Sequence, residues 1–123
     1  MTVAHVAVNV SDWERAKGFY EAVLRPLGYR VVYEEDGALA YFADRHGLDF
    51  GMGRRDPVGG AHVAFDCPDR ETVDDFYANA LEAGGRDNGP PGIREQYDAN
   101  YYAAYVLDAD GNNIEAVCHH AQS

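Results

Sequence analysis

Two histidines open two similar segments of the chain. HVAVNVSDWERAKGFY begins at His5, and HVAFDCPDRETVDDFY begins at His62. Each copy also carries a carboxylate on the last strand predicted for it, Asp49 in the first copy and Glu115 in the second. Neutral imidazoles and ionised carboxylates that converge on one point form a divalent-metal site. Without a thiolate, this set suits Zn, Ni, Mn, Fe or Co rather than Cu(I).

The repeat decides how these side chains are interpreted. A lone strand histidine is more often a hydrogen-bonded structural residue, and a lone carboxylate is often a solvated one. Here the repeat makes His5 and His62 symmetry partners near the centre of a doubled structure. A metal site is therefore the favoured hypothesis, in which the ion acts as a Lewis acid on a substrate oxygen.

Strands are predicted to position both histidines. From His5 and from His62 onward, apolar and small or polar residues alternate, which is the pattern of a strand with two unlike faces. Val6, Val8 and Val10 share one face of the first strand, and His5 lies on the other. We expect the valine face to be covered by a helix and the histidine face to stay open.

A helix is predicted after each of these strands. In the first copy, apolar residues recur at helical spacing behind Ser11 and Glu14, which are placed as a capping box, and Gly28 follows the end. In the second copy, Asp69 is the predicted N-cap, and Gly84 and Gly85 end the helix.

The remaining strands complete the predicted fold. They fall at residues 29–35, 38–43 and 48–53 in the first copy, and near Arg86, at 101–107 and at 113–118 in the second, with a loop over 88–92. The chain is thus predicted to be α+β, with two paired βαβββ modules that form a cupped mixed sheet with helices on the outer side. Residues 1–123 form one domain, divided into modules of about 1–56 and 57–123.

Composition excludes several classes of partner. The 123 residues carry a formal net charge of −11, which opposes binding to nucleic acid and to anionic membranes. The N-terminal residues lack the basic start and long apolar run of a signal peptide, and no apolar stretch is long enough to cross a bilayer, so a cytoplasmic location is expected. Cys67 and Cys118 follow no metal-binding or redox spacing and are interpreted as small buried apolar residues.

The doubled βαβββ pattern, the two strand histidines and the segment DADGNNIEAV resemble the vicinal oxygen chelate superfamily, which includes glyoxalase I, fosfomycin-resistance, bleomycin-resistance and extradiol dioxygenase proteins. The resemblance covers essentially the whole chain. It implies paired modules around a divalent ion, with His5, His62 and Glu115 at ligand positions. Asp49 matches a fourth ligand only through alignment of LDF with IEA, and its alternatives are binding through water, acting as a base, or not binding.

The resemblance implies a metal-dependent enzyme of the glyoxalase I type, with isomerase or lyase chemistry on a small oxygenated substrate. Glu115 or Asp49 would then shuttle a proton. The first alternative is a metal-free module that sequesters a drug-like ligand, as bleomycin-resistance proteins do, and a dioxygenase-type member is a further alternative. A homodimer is expected, since the family commonly forms dimers with the site near or across the subunit contact.

Aromatic and cationic residues are the candidate substrate contacts. Tyr101 and Tyr105 are predicted to line the sheet of the second module, and Arg94 is a candidate partner for an anionic group, such as the carboxylates of glutathione. Cross-strand packing and surface solubility are their structural alternatives. His119 shares a face with Glu115 and is interpreted as a tail residue, because it lies beyond the strand.

Overall fold

The computed structural model describes residues 5–47 and 49–121 and confirms the predicted α+β fold of two βαβββ modules. The first module comprises β1 (His5–Val10), α1 (Trp13–Leu24), a 3-10 turn (Arg25–Leu27), β2 (Arg30–Glu35), β3 (Leu39–Ala43) and β4 (Asp49–Arg54). The second comprises β5 (His62–Asp66), α2 (Arg70–Glu82), β6 (Arg86–Asp87), β7 (Gly92–Ile93), β8 (Tyr102–Leu107) and β9 (Asn113–Cys118).

Each module contributes its own sheet. The strand order is β1-β4-β3-β2 in the first sheet and β5-β9-β8-β6 in the second, and β7 pairs with β8. In both sheets the first and last strands of the module are parallel neighbours, whereas the other pairings are antiparallel. The strands that carry the two histidines, β1 and β5, therefore lie at sheet edges.

One apolar core joins the modules on the side opposite the histidines. Phe50 of the first sheet and Phe65 of the second meet with ring centroids 5.3 Å apart, and Tyr20 of α1 packs on Phe50. The helices contact each other as well as the sheets. Because the core takes the valine faces, the faces that carry His5 and His62 stay exposed, as alternation predicts.

The helix caps follow the prediction in the second module and depart from it in the first. Asp69 caps α2 by accepting a hydrogen bond from the Thr72 amide at 2.8 Å. At α1 the predicted capping box is wrong, because Asp12 is the N-cap residue and accepts from the Arg15 amide at 3.2 Å. Ser11 instead donates its hydroxyl to Asp110 Oδ1 at 2.6 Å, so a contact between modules takes the side chain away from the helix.

A buried polar network closes the turn before β9. Asp108 is 3% exposed, and its Oδ2 accepts from the Tyr20 hydroxyl at 2.6 Å and from Asn112 Nδ2 at 2.8 Å. Asn112 also accepts from the Ala61 amide at 3.1 Å and donates to the Asn9 carbonyl at 3.4 Å. The turn thus ties α1, β1 and the start of β5 to the strand that carries Glu115.

Local differences from the predicted strands are small. The loop predicted over 88–92 ends in the short strand β7. β6 and β7 pair with two separate segments of β8 and together form that edge of the second sheet. The predicted fourth strand of the first module begins at Leu48, which lies outside the described residues. Among the described helices, none is long and apolar enough to cross a membrane.

Candidate functional site

The second module brings one predicted pair together. His62 on β5 and Glu115 on β9 project from adjacent parallel strands, with Glu115 in register with Ala64. His62 Nε2 lies 3.1 Å from Glu115 Oε1. The imidazole is half exposed, whereas the Glu115 side chain is 3% exposed. The pair therefore joins a buried carboxylate to a histidine that solvent and ligands reach.

Tyr101 completes the hydrogen bonding of the buried carboxylate. Its hydroxyl donates to Glu115 Oε2 at 2.5 Å, so each carboxylate oxygen has a partner. Burial raises the pKa of the Tyr101 phenol, and the hydrogen bond to Glu115 raises it further. The phenol therefore remains protonated and acts as a donor at neutral pH.

The Tyr105 ring and the Arg94 guanidinium flank the pair of His62 and Glu115. Tyr105 is in register with Glu115, and its ring is nearly parallel to that of His62 at 6.4 Å. The Arg94 guanidinium carbon lies 5.3 Å from the centroid of the Tyr105 ring, and Arg94 Nη2 donates to the Pro90 carbonyl at 2.6 Å. The guanidinium is thus held in place beside the ring by one hydrogen bond and one cation–π contact.

The first module arranges its residues differently. His5 is in register with Asp49. Ala7, two positions further along β1, is in register with Gly51. In the second module the corresponding positions along the last strand are Asn113 and Glu115, because Asn113 is in register with His62. Asp49 is therefore the counterpart of Asn113. The alignment of LDF with IEA, which equated Asp49 with Glu115, is out of register by two residues.

The two histidines lie on one cleft between the modules. Its volume is about 930 Å³, and its lining includes His5, His62 and Asp49 together with His46 and Asp66. Among residues 5–47 and 49–121, no three His, Cys, Asp or Glu side chains come together to hold a metal ion. One chain alone thus presents the donor pair of His62 and Glu115, with His5 apart from it.

Comparison with known proteins identifies the family. The model of the Glyoxalase/Bleomycin resistance protein/Dioxygenase superfamily matches residues 2–116. The chain belongs to this superfamily. The resemblance inferred from the strand histidines and the DADGNNIEAV segment is confirmed, and no curated protein sequence matches the chain.

Solved structures of superfamily members share the fold. A glyoxalase/bleomycin resistance protein from Albidiferax ferrireducens T118 is 31% identical, with a TM-score of 0.82 over 94% of this chain and 97% of that one. Lactoylglutathione lyase from Agrobacterium tumefaciens is 19% identical, with a TM-score of 0.73 over 95% and 92%. A mutant fosfomycin resistance protein, FosX, from Listeria monocytogenes is 19% identical, with a TM-score of 0.71 over 94% and 88%.

The residues of this superfamily member fit part of a metal centre. An imidazole nitrogen and a carboxylate oxygen 3.1 Å apart are donors of the types that bind Zn²⁺, Mn²⁺ and related ions. The Tyr101 hydroxyl orients the carboxylate, as groups around metal ligands commonly do. The donor set is thus suitable in chemistry, and a third side chain is needed to complete it.

Two residues lie near the site although the sequence did not predict them there. His119, interpreted as a tail residue, places its ring edge-on to Tyr101 at 5.2 Å, and its Nε2 lies 3.9 Å from Asp66 Oδ1. Its shared face with Glu115 was the signal for this contact. Tyr41 places its ring edge-on to His5 at 5.6 Å, and only the pairing of β3 with β4 reveals that position.

Proposed function

We propose that this chain is a divalent-metal-dependent enzyme of the glyoxalase-like type, with isomerase or lyase chemistry on a small oxygenated substrate. The observation that carries the proposal is the approach of His62 Nε2 to Glu115 Oε1 at 3.1 Å, with the second carboxylate oxygen fixed by Tyr101. A buried carboxylate beside an exposed imidazole, flanked by aromatic rings and a guanidinium, is typical of a binding site.

In the proposed centre, His62 and Glu115 are joined by His5 from a second copy of the chain. Two features support this arrangement. β1 and β5 both lie at sheet edges, where backbone groups can pair with another chain, and the residues around both histidines are exposed. The chain would then form a homodimer with two equivalent sites, each built from both subunits.

The proposed roles of the protein groups follow from their contacts. When bound, the ion supplies Lewis-acid stabilisation of negative charge on a substrate oxygen. Glu115 is the candidate proton acceptor at the site, and the protonated Tyr101 holds its Oε2 in a fixed orientation. Asp49, which is in register with His5 in the first module, is the candidate for a second proton acceptor.

The substrate pocket is proposed to include Tyr101, Tyr105 and Arg94. The two rings supply a flat apolar surface beside Glu115, and the guanidinium is held beside Tyr105. Arg94 is the candidate partner for an anionic group on the substrate, because a guanidinium pairs well with carboxylate and phosphate oxygens. The similar structures include a lactoylglutathione lyase and a fosfomycin resistance protein, which supports small oxygenated molecules as the substrate class.

A second candidate function is the sequestration of a small molecule without metal chemistry. It is favoured by the lack, among the described residues of a single chain, of three converging metal-ligand side chains. The exposed ring of Tyr97, which lies 5.0 Å from that of Tyr101, would extend the ligand-binding wall. In that case the histidines would be dispensable for ligand binding.

Metal content decides between the two candidates. Protein purified without an affinity tag is incubated with Mn²⁺, Co²⁺, Ni²⁺ or Zn²⁺, desalted and analysed for bound metal, for the wild type and for His5→Ala and His62→Ala. His46→Ala is the matched control, because His46 lines the same cleft and is exposed. The enzyme proposal expects about one ion per chain in the wild type and control, and loss in both other variants.

No retained metal in the wild type would contradict the enzyme proposal and favour sequestration. If metal is retained, isomerisation of a hemithioacetal by the loaded protein tests the glyoxalase-like chemistry itself. Turnover that is lost in His62→Ala and retained in His46→Ala would support it. Metal binding without turnover of this substrate would contradict the glyoxalase-like reaction and leave the metal centre in place.

A further inference from the structure

We propose that His119 is a positioning residue, whose ring holds the Tyr101 side chain in the place from which its hydroxyl binds Glu115. The inference rests on the proposed function only in its use of Glu115 as a proton acceptor. The hydrogen bond between Tyr101 and Glu115 belongs to the metal-free chain, so the role of His119 can be tested without a metal ion or a substrate.

Strand register places His119 beside Tyr101. β8 and β9 are antiparallel, and their last described pair is Tyr102 with Cys118. One residue further on, the same register sets Tyr101 opposite His119, and such cross-strand neighbours have their side chains in contact. The two rings do meet, edge-on, with centroids 5.2 Å apart and an interplanar angle of 88°. His119 is therefore a cross-strand neighbour of Tyr101 rather than a tail residue.

Tyr101 has to lean along the sheet to reach its acceptor. The residue directly opposite Glu115 is Tyr105, not Tyr101. The Tyr101 hydroxyl nevertheless donates to Glu115 Oε2 at 2.5 Å. A side chain kept in one direction loses rotamer freedom, and contacts with its neighbours must offset that loss. The hydrogen bond therefore depends on what packs against the Tyr101 ring.

Two rings support Tyr101, and His119 is the firmer of them. The Tyr97 ring lies 5.0 Å away at 55°, but this residue is 64% exposed on the loop before β8. His119 follows directly on β9, which is paired with β5 on one side and with β8 on the other. Edge-on ring pairs attract each other beyond the area that they bury. We therefore expect the edge-on contact with His119 to fix the Tyr101 ring.

The ring of His119 matters here more than its charge. Its Nε2 lies 3.9 Å from Asp66 Oδ1, and the two side chains are 55% and 80% exposed. An ion pair that is this long and this exposed contributes little to stability. A flat apolar ring at position 119 should therefore replace the imidazole, whereas a side chain without a ring should not.

The consequence reaches a carboxylate that His119 does not touch. Glu115 is buried, with His62 at Oε1 and Tyr101 at Oε2. If the Tyr101 ring moves away, Oε2 loses its donor, and a buried carboxylate oxygen without a donor is unfavourable. An exposed histidine at the end of β9 thus helps to set the orientation of the proposed proton acceptor.

The first test follows the Tyr101 phenol by NMR in protein labelled with carbon-13 at the tyrosine Cζ atoms, with EDTA present. The Tyr101 resonance is the one that is absent in Tyr101→Phe. It is expected to shift toward the position of a solvent-exposed phenol in His119→Ala and His119→Gln, and to stay in place in His119→Phe. His120→Ala is the matched control, because His120 is exposed and makes no ring contact with the described residues.

The second test is a double-mutant cycle in urea unfolding. Tyr101→Phe is expected to lower the equilibrium constant for folding about tenfold in the wild type and in the His119→Phe background. In the His119→Ala background the same change is expected to lower it less than about threefold, because the hydrogen bond is already lost.

Three results would overturn the inference. One is an unshifted Tyr101 resonance in His119→Ala with an undiminished effect of Tyr101→Phe in that background. Another is a Tyr101→Phe variant as stable as the wild type. The third is an Asp66→Asn variant that shifts the Tyr101 resonance as far as His119→Ala does, because the ion pair would then be the support. A wild type that binds no metal would overturn the proposed function and leave these measurements unaffected.

Discussion

Removal of the Tyr20 hydroxyl tests the network that positions the candidate site. Tyr20 is fully buried on α1, and its hydroxyl donates to Asp108 Oδ2 at 2.6 Å. In Tyr20→Phe the ring and its packing stay, so no large cavity forms. Asp108 Oδ2 keeps its bond from Asn112 Nδ2 at 2.8 Å but loses the phenol.

The expected cost follows from the chemistry of this bond. A buried hydrogen bond to a charged group contributes about 1.5–3 kcal/mol, and loss of the phenol leaves the buried carboxylate under-solvated. We therefore expect Tyr20→Phe to lower the free energy of unfolding by about 2 kcal/mol. For a chain of this size, that corresponds to a fall in Tm of about 6–10 °C.

The pH dependence of this difference has a definite sign. Burial raises the pKa of the Tyr20 phenol above its value in the unfolded chain, and the neighbouring Asp108 raises it further. The stabilisation is therefore complete below the unfolded pKa of about 10, and it is lost as the pH rises through the higher pKa of the folded state. Wild type and Tyr20→Phe should converge in stability only in alkaline solution.

Urea unfolding followed by circular dichroism measures both effects. Tyr33→Phe is the matched control, because the Tyr33 hydroxyl bonds Glu35 at the surface and the residue is 50% exposed. It is expected to cost less than about 0.5 kcal/mol. A Tyr20→Phe variant within about 0.5 kcal/mol of the wild type would refute the argument that the buried bond stabilises the junction of the modules.

Three further predictions concern other contacts. Tyr101→Phe should lower the stability of the metal-free protein by about 1–2 kcal/mol in chemical unfolding, and no change would show that Glu115 does not depend on the phenol. Burial raises the pKa of the Cys67 thiol to about 12, and Cys118 is equally buried, so neither should react with Ellman's reagent in the native protein at pH 8. Rapid labelling would contradict their burial. Hydrogen bonds from Thr72 lower the pKa of Asp69, so its stabilisation is present above the unfolded pKa and is lost as the pH falls through the folded one. Asp69→Asn should therefore be less sensitive to acid than the wild type, and equal acid sensitivity in thermal unfolding would count against this.

The sequence predicted the histidine positions well because alternation in a strand is a local property. Period-2 patterning put His5 and His62 on faces opposite the valines, and both are exposed as expected. The repeat added the information that these strands occupy equivalent places in two modules. The partner of His62 also followed, since Glu115 was predicted on the same open face.

Register between strands was not predictable from the same information. Asp49 and Gly51 lie on the same face of β4, so alternation cannot tell which of them is level with the site. The choice depends on how β4 is set against β1, which long-range packing decides. In the observed register Gly51, and not Asp49, is the counterpart of Glu115 in the first module.

The capping of α1 shows the same limitation. Ser11 and Glu14 have the spacing of a capping box, but Asp110 lies close to Ser11 in space although distant in sequence. Its carboxylate accepts both the Ser11 hydroxyl and the Ser11 amide, at 2.6 and 3.1 Å. Because Ser11 is bound to Asp110, Asp12 becomes the N-cap of α1. Local sequence preference could not reveal that Asp110 competes with the helix for Ser11.

The central claim is that each metal site is built from two chains. Mixing two variants that are each expected to lose the metal tests it most directly. His5→Ala and His62→Ala are unfolded together in equal amounts, refolded, incubated with Mn²⁺, desalted and analysed for bound metal. If each site takes His5 from one chain and His62 with Glu115 from the other, random pairing restores about a quarter of the wild-type sites, although each variant alone has none. Metal at that level in the mixture, and none in either variant refolded alone, is the result that the proposed two-chain centre predicts. A mixture with no more metal than the separate variants, beside a wild type refolded in the same way that binds metal, would contradict it.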